Sequence, residues 1–117
     1  TGSATQIAYA TGKAAVIGLT KTLAKEWGRY NVTVNAVAFG HIETRLTQVY
    51  DELPPAIDVM GRKHKVGLAS SQIKAMEKAV PLGRPGTVDE AAGAIYLLCT
   101  PDADYITGEV LTCSGGA

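Results

Sequence analysis

The stretch Tyr9-Ala10-Thr11-Gly12-Lys13-Ala14-Ala15-Val16, continued to Trp27 and followed by Val32-Thr33-Val34-Asn35-Ala36-Val37-Ala38, decides the fold class. Ile7, Ala15, Val16, Leu19, Leu23, Ala24 and Trp27 recur at steps of three and four, which predicts an amphipathic helix over residues 9–27. Gly28 then suits a helix C-terminus. The β-branched run 32–38 reads as a short buried strand. A strand so soon after a helix points to α/β layering.

The pattern continues downstream. Phe39-Gly40-His41 reads as a turn leaving the strand, and Pro54-Pro55 breaks any helix there. A short helix is predicted over residues 72–80, with an irregular stretch before it long enough for a functional loop. Pro85-Gly86 forms a turn, and Thr87 with Glu90 three residues later has the capping-box pattern. Residues 90–99 are rich in alanine, isoleucine and leucine and predict a largely buried helix, which Thr100-Pro101 ends. Gly108 leads into a last strand, Glu109-Val110-Leu111-Thr112-Cys113, before Ser114-Gly115-Gly116.

Composition narrows the function classes. A chain of 117 residues implies one domain, and 46% hydrophobic residues argue against disorder. Eleven basic residues balance eleven acidic ones, so no global field favours nucleic acid or an anionic membrane. The basic cluster Arg62-Lys63-His64-Lys65 reads as a solvated loop. Cys99 and Cys113 form no CxxC pair, read as small hydrophobes, and suggest a reducing, cytoplasmic setting. No metal site is expected, because His41 and His64 lack companions at ligand spacing and read as surface or loop histidines. No run is apolar enough to span a membrane, and the aromatic residues are not interleaved with basic ones as a nucleic-acid stacking platform requires.

Tyr9 and Lys13 are the residues with chemistry to offer. Four residues apart on a helix, they lie on one face. A free phenol titrates near pH 10, too high for neutral-pH proton transfer. A neighbouring ammonium favours the phenolate, and the positive end of the helix dipole adds to the effect. A tyrosine so placed suits a general acid for a carbonyl oxygen that receives hydride.

The segment Tyr9-Ala10-Thr11-Gly12-Lys13 and the small residues after it resemble the Tyr-x-x-x-Lys segment of the short-chain dehydrogenase/reductase family. Gly18 to Ala24, Val34-Asn35-Ala36-Val37, Pro81-Leu82-Gly83-Arg84-Pro85-Gly86 and Tyr105-Ile106-Thr107-Gly108-Glu109-Val110-Leu111 resemble further family segments, in the family's order. The resemblance covers nearly the whole chain, is weakest over residues 47–72, and looks closest to the 3-oxoacyl-(acyl-carrier-protein) reductase branch of fatty acid metabolism. It implies the C-terminal half of a Rossmann-like, doubly wound parallel sheet, with residues 1–117 forming a partial domain. It implies an NAD(P)-dependent oxidoreductase that reduces a ketone or 3-oxoacyl thioester to an alcohol. Tyr9 would exchange the proton and, with Lys13, help bind the cofactor; Lys13 would tune Tyr9 and bind the nicotinamide ribose. Gly40, Ile42 and Thr44 would line the nicotinamide, which belongs to NADP or NAD. A segment from about Gln48 to Met76 would fold over the substrate as a lid. Two positions depart from the pattern: Phe39 stands where proline is usual, and Gly12 where serine is common.

The glycine-rich strand-turn-helix unit that holds the pyrophosphate in the family does not occur in this sequence. The family's substrate-binding serine falls before Thr1, and Ser3 is too near Tyr9 to replace it. The two strand candidates, 32–38 and 109–113, are not expected to be neighbours in the family sheet. The chain therefore reads as part of a longer protein or as a member of a homo-oligomer, dimer or tetramer. An alternative reading is a catalytically inactive oligomerisation module, built on the first helix and the last helix and strand.

Overall fold

A computed structural model describes residues 6–45, 49–50, 56–65 and 68–117. Helix α1 spans Ile7–Trp27, and a 3-10 turn, Gly28–Tyr30, closes it. Asn31 takes a left-handed φ of 59° there, a conformation that asparagine tolerates better than most residues. Strand β1, Ala36–Phe39, follows. Further along come β2 (Val49–Tyr50), β3 (Ala56–Val59), β4 (Arg62–Lys65), β5 (Leu68–Ala69), helix α2 (Ser70–Ala79), helix α3 (Val88–Leu98) and β6 (Val110–Cys113). The chain divides into two compact units. The first holds the described residues up to Ala38 with Ala94–Thr112; the second holds the described residues of Phe39–Gly93 with Cys113–Ala117.

In the first unit, β1 and β6 are hydrogen-bonded neighbours, which corrects the expectation that these strands would lie apart. Ala36 N–H donates to the Glu109 carbonyl at 2.9 Å, and within the second unit Gly40 N–H donates to the Cys113 carbonyl at 3.0 Å. Partner numbers rise together along both strands, as in a parallel pair. The strand starts at Ala36, later than the sequence suggests, because the residues before it bond to a turn. Val34 N–H donates to Thr107 Oγ1 at 3.0 Å, and the Val34 carbonyl accepts from Gly108 N–H at 2.7 Å. The Asn35 amide donates from Nδ2 to the Ile106 carbonyl at 2.9 Å, while its Oδ1 accepts the Glu109 N–H at 3.1 Å. Gly108, at φ 76°, turns the chain where a Cβ would meet Ala24 Cβ at 3.4 Å.

Burial is sparse, and this corrects two expectations. Strand β1 is half-buried to exposed instead of buried. Of α3, Ala94 is buried, but Ile95, Tyr96 and Leu97 are exposed. The apolar pattern of α3 records a face built to be covered, whereas burial depends on what lies against it. On α1, Thr20 and Ala24 are buried, Thr20 returning its hydroxyl to the Val16 carbonyl at 2.8 Å. Cys113 is half-buried, whereas Cys99 is exposed and so does not behave as the buried hydrophobe expected of it.

The second unit holds the region with the weakest sequence pattern. β3 and β4 pair antiparallel, with Val59 opposite Arg62, so two residues make the turn. Met60 and Gly61 both have positive φ, 53° and 76°, as a type I′ hairpin turn requires. Asp58 Oδ1 accepts the Gly61 N–H at 2.9 Å and supports the turn. The hairpin replaces the irregular stretch expected here, and the cluster Arg62-Lys63-His64-Lys65 forms strand β4, not a loop. Met60 hid the turn, because methionine is a poor indicator of positive φ. β2 and β5 pair in parallel, Val49 with Leu68 and Tyr50 with Ala69, and α2 follows directly. Among the described residues, no helix is long and apolar enough to cross a membrane.

If the Asn35 amide joins the two strand entries, Asn35→Ala lowers the unfolding free energy by about 1–2 kcal/mol, the cost of two lost hydrogen bonds at a half-buried site. Urea unfolding checks this; an unchanged midpoint would mean that Thr107 and the strand pairing hold the turn without it.

Candidate active site

Tyr9 and Lys13 sit in the first two turns of α1, in the first unit. Both are exposed, Tyr9 by 65%. The i, i+4 spacing brings them together: Lys13 Nζ lies 5.4 Å from the centroid of the Tyr9 ring, within cation–π range. Gln6 precedes the helix without a side-chain cap, and the first turn carries no acidic residue. The positive end of α1 is thus left without a carboxylate of its own first turn, an electrostatic setting that favours an anion beside Tyr9.

Gly40, Ile42 and Thr44 share one turn in the second unit. Gly40 is required sterically. A Cβ there would fall 2.7 Å from Ser114 Cβ and 2.9 Å from Ser114 Cα, and the second of these atoms is backbone that cannot swing away. Ile42 forms a parallel bridge with Gly86. Gly86 N–H donates to the His41 carbonyl at 2.9 Å, and Glu43 N–H donates to the Gly86 carbonyl at 2.9 Å. Thr44 is exposed at the far end of the turn.

His41 was expected to be a surface or loop histidine. It does lie in a bend after β1, but its ring is half-buried and not at the surface, with both nitrogens buried without a hydrogen-bond partner among the described residues. It lines a cavity of about 190 Å³ with Ile42, Leu82, Arg84, Glu90 and Ser114 among its walls. His41 stands next to the Ile42–Gly86 bridge, a long-range contact that leaves no local pattern in the sequence.

Thr87 and Glu90 form the capping box their spacing predicts. Thr87 N–H donates to Glu90 Oε2 at 2.9 Å, and Glu90 N–H donates to Thr87 Oγ1 at 3.1 Å. Arg84, which sequence reasoning had not singled out, adds a two-pronged pair: Nη2 to Oε1 at 2.7 Å and Nη1 to Oε2 at 2.9 Å. The Arg84 guanidinium, and after it the Thr87 N–H, hold the Glu90 carboxyl at about 2, and the same pairing holds Arg84 above its ordinary value.

The family model described as enoyl-(acyl carrier protein) reductase matches residues 1–117. The chain is 42% identical over 116 residues to the 3-oxoacyl-(acyl-carrier-protein) reductase FabG of Aquifex aeolicus, covering 99% of this chain and 40% of that protein. It is 36% identical over 115 residues to the short-chain reductase protein NovJ of Streptomyces niveus, covering 98% and 40%. A short-chain dehydrogenase from Bacillus anthracis matches with a TM-score of 0.67 at 40% identity, over 92% of this chain and 35% of that one. A short-chain dehydrogenase/reductase from Serratia marcescens gives 0.70 at 29% identity, over 95% and 38%. The chain belongs to the short-chain dehydrogenase/reductase family, and its α/β arrangement is that of the family's Rossmann-like fold. It spans about 40% of the length of the curated relatives it matches.

Two outcomes follow from this geometry. Gly40→Ala destabilises by roughly 1–3 kcal/mol through overpacking against Ser114, while Gly12→Ala, whose Cβ would meet nothing within 4 Å, does not; paired urea titrations check the contrast. Glu90 ionises more readily folded than unfolded, so its contribution is complete above its ordinary value of 4.5 and is lost as pH falls towards about 2. The melting-temperature difference between wild type and Glu90→Gln should therefore be full at neutral pH and shrink across that acid window.

Proposed function

We propose that the whole protein is an NAD(P)-dependent oxidoreductase that reduces a carbonyl to an alcohol, with Tyr9 as the proton-transfer residue. The observation that carries this reading is the Lys13 ammonium held 5.4 Å from the Tyr9 ring on one exposed helix face. The nicotinamide, when bound, supplies the hydride. Tyr9 delivers the proton: its hydroxyl donates to the substrate oxygen, the O–H bond breaks, and the carbonyl becomes an alcohol as hydride reaches its carbon. Lys13 stabilises the phenolate left behind and holds the ribose. The turn of Gly40, Ile42 and Thr44 receives the nicotinamide. The segment from about Gln48 to Met76 covers the substrate and excludes water; its residues 48, 51–55 and 66–67 lie outside the described residues.

The first substrate class is a 3-oxoacyl thioester. The matching family model is described by reduction of an enoyl group, whereas several relatives are named for reduction of a 3-oxoacyl group. Tyr9 and Lys13 favour the second, because a phenol beside an ammonium is matched to an oxygen that gains charge as hydride arrives. A cytoplasmic, homo-oligomeric enzyme is the setting this reading gives the protein. The oligomerisation-module alternative draws on Ile95, Tyr96 and Leu97, which are apolar and exposed on α3.

Replacing Tyr9 by Phe in the whole protein should lower kcat for a 3-oxoacyl thioester by roughly 10²- to 10⁴-fold, the range of a lost general acid. Retained turnover would sink the assignment. Wild-type protein that associates tightly yet never turns over would favour the module.

A further inference from the structure

The turn proposed to receive the nicotinamide is gripped by Gly86, which bonds to both the His41 carbonyl and the Glu43 N–H. Gly86 owes its own position to the residues on either side. One carboxylate, Glu90, accepts from Arg84 through both oxygens and from the Thr87 N–H, while Arg84 Nη1 also reaches the Pro85 carbonyl at 3.0 Å. Residues 84, 85 and 87 are therefore tied to a single point on the first turn of α3, with Gly86 strung between them.

Capping the helix does not require all of this. The reciprocal bonds of Thr87 and Glu90 satisfy the box by themselves. The added Arg84 pair is exposed, with side chains about half open to solvent at 54% and 46%, and pairs so exposed contribute little to stability. What a two-pronged pair does provide is direction, since the planar fork fixes both partners at once. Fixing them fixes Gly86, and Gly86 lies close enough to the turn that a Cβ on it would come 2.8 Å from Ile42 Cδ1.

We propose that Arg84 and Glu90 are positioning residues for the cofactor: their clamp keeps Gly86 in register with His41 and Glu43 and thereby holds Ile42 and Thr44 for the nicotinamide. This rests on the cofactor reading given above. The clamp acts through the bridge between Gly86 and Ile42. It sets cofactor affinity and leaves the proton transfer at Tyr9 alone.

The test uses the whole protein in three variants. Arg84→Lys keeps the charge and loses the fork, Glu90→Gln keeps an acceptor and loses the charge, and Glu90→Ala loses both. Amide hydrogen exchange at Glu43 and Gly86 reads the grip without any cofactor. The KM for NADH or NADPH against the KM for a 3-oxoacyl thioester reads its consequence. In Arg84→Lys and Glu90→Gln, exchange at both amides should quicken and the nucleotide KM rise, each roughly tenfold, as small misplacements do, with the thioester KM within about twofold. Glu90→Ala should exceed both. Unchanged exchange in Glu90→Ala would overturn the clamp, and quickened exchange with an unchanged nucleotide KM would overturn its positioning role. Wild-type protein that binds neither nucleotide would instead overturn the cofactor reading, a result separable from the exchange measurement.

Discussion

A carboxamide can donate and accept within one plane, and the first unit relies on that property at Asn35. Its Nδ2 holds the Ile106 carbonyl and its Oδ1 holds the Glu109 N–H, so one side chain fixes both sides of the Thr107-Gly108 turn. The parallel pairing of β1 with β6 begins where this clamp ends, at Ala36 and Glu109. Aspartate would supply only acceptors, and leucine would supply nothing. The identity of the residue at the strand entry is therefore set by two backbone groups more than seventy positions away. It also explains why Val34-Asn35-Ala36-Val37 and the 105–111 segment occur together: each completes the other's hydrogen bonding.

A second constraint of the same kind operates in the second unit, where backbone approaches backbone through glycine. Gly40 passes Ser114 too closely for a Cβ, and Gly115, at φ 66°, would drive a Cβ to 2.7 Å from Val80 Cγ1. Leu82 N–H closes the same corner on the Gly115 carbonyl at 3.1 Å. The turn of Gly40, Ile42 and Thr44 is thus held by Ser114 on one side and by Gly86 on the other.

Much of this was legible in the sequence where local physics rules. The period of α1, the Thr87–Glu90 box and the stop at Thr100-Pro101 depend on neighbours within a turn or two, and the elements lie where those signals put them. The Tyr9–Lys13 pair was legible for the same reason. What escaped the sequence depends on distant partners or on conformations rare for the residue type. The β1–β6 pairing needs residues far apart to be compared. The β3–β4 hairpin turns on a methionine at positive φ, where sequence rules look for asparagine or glycine. The burial of the His41 ring lies beside the long-range Ile42–Gly86 bridge, and the Arg84 fork spans a six-residue separation that no helix or strand period marks.

The distances along the chain also impose an order on biosynthesis. Helix α1 and the β3–β4 hairpin close on residues close by in sequence, with little entropy lost in bringing them together. The Gly40 turn waits for Gly86, and β1 waits for a strand that is translated only at Val110. On the ribosome, the β1–β6 pair therefore cannot form until Cys113 has been translated, so this pairing comes late in the folding of the region.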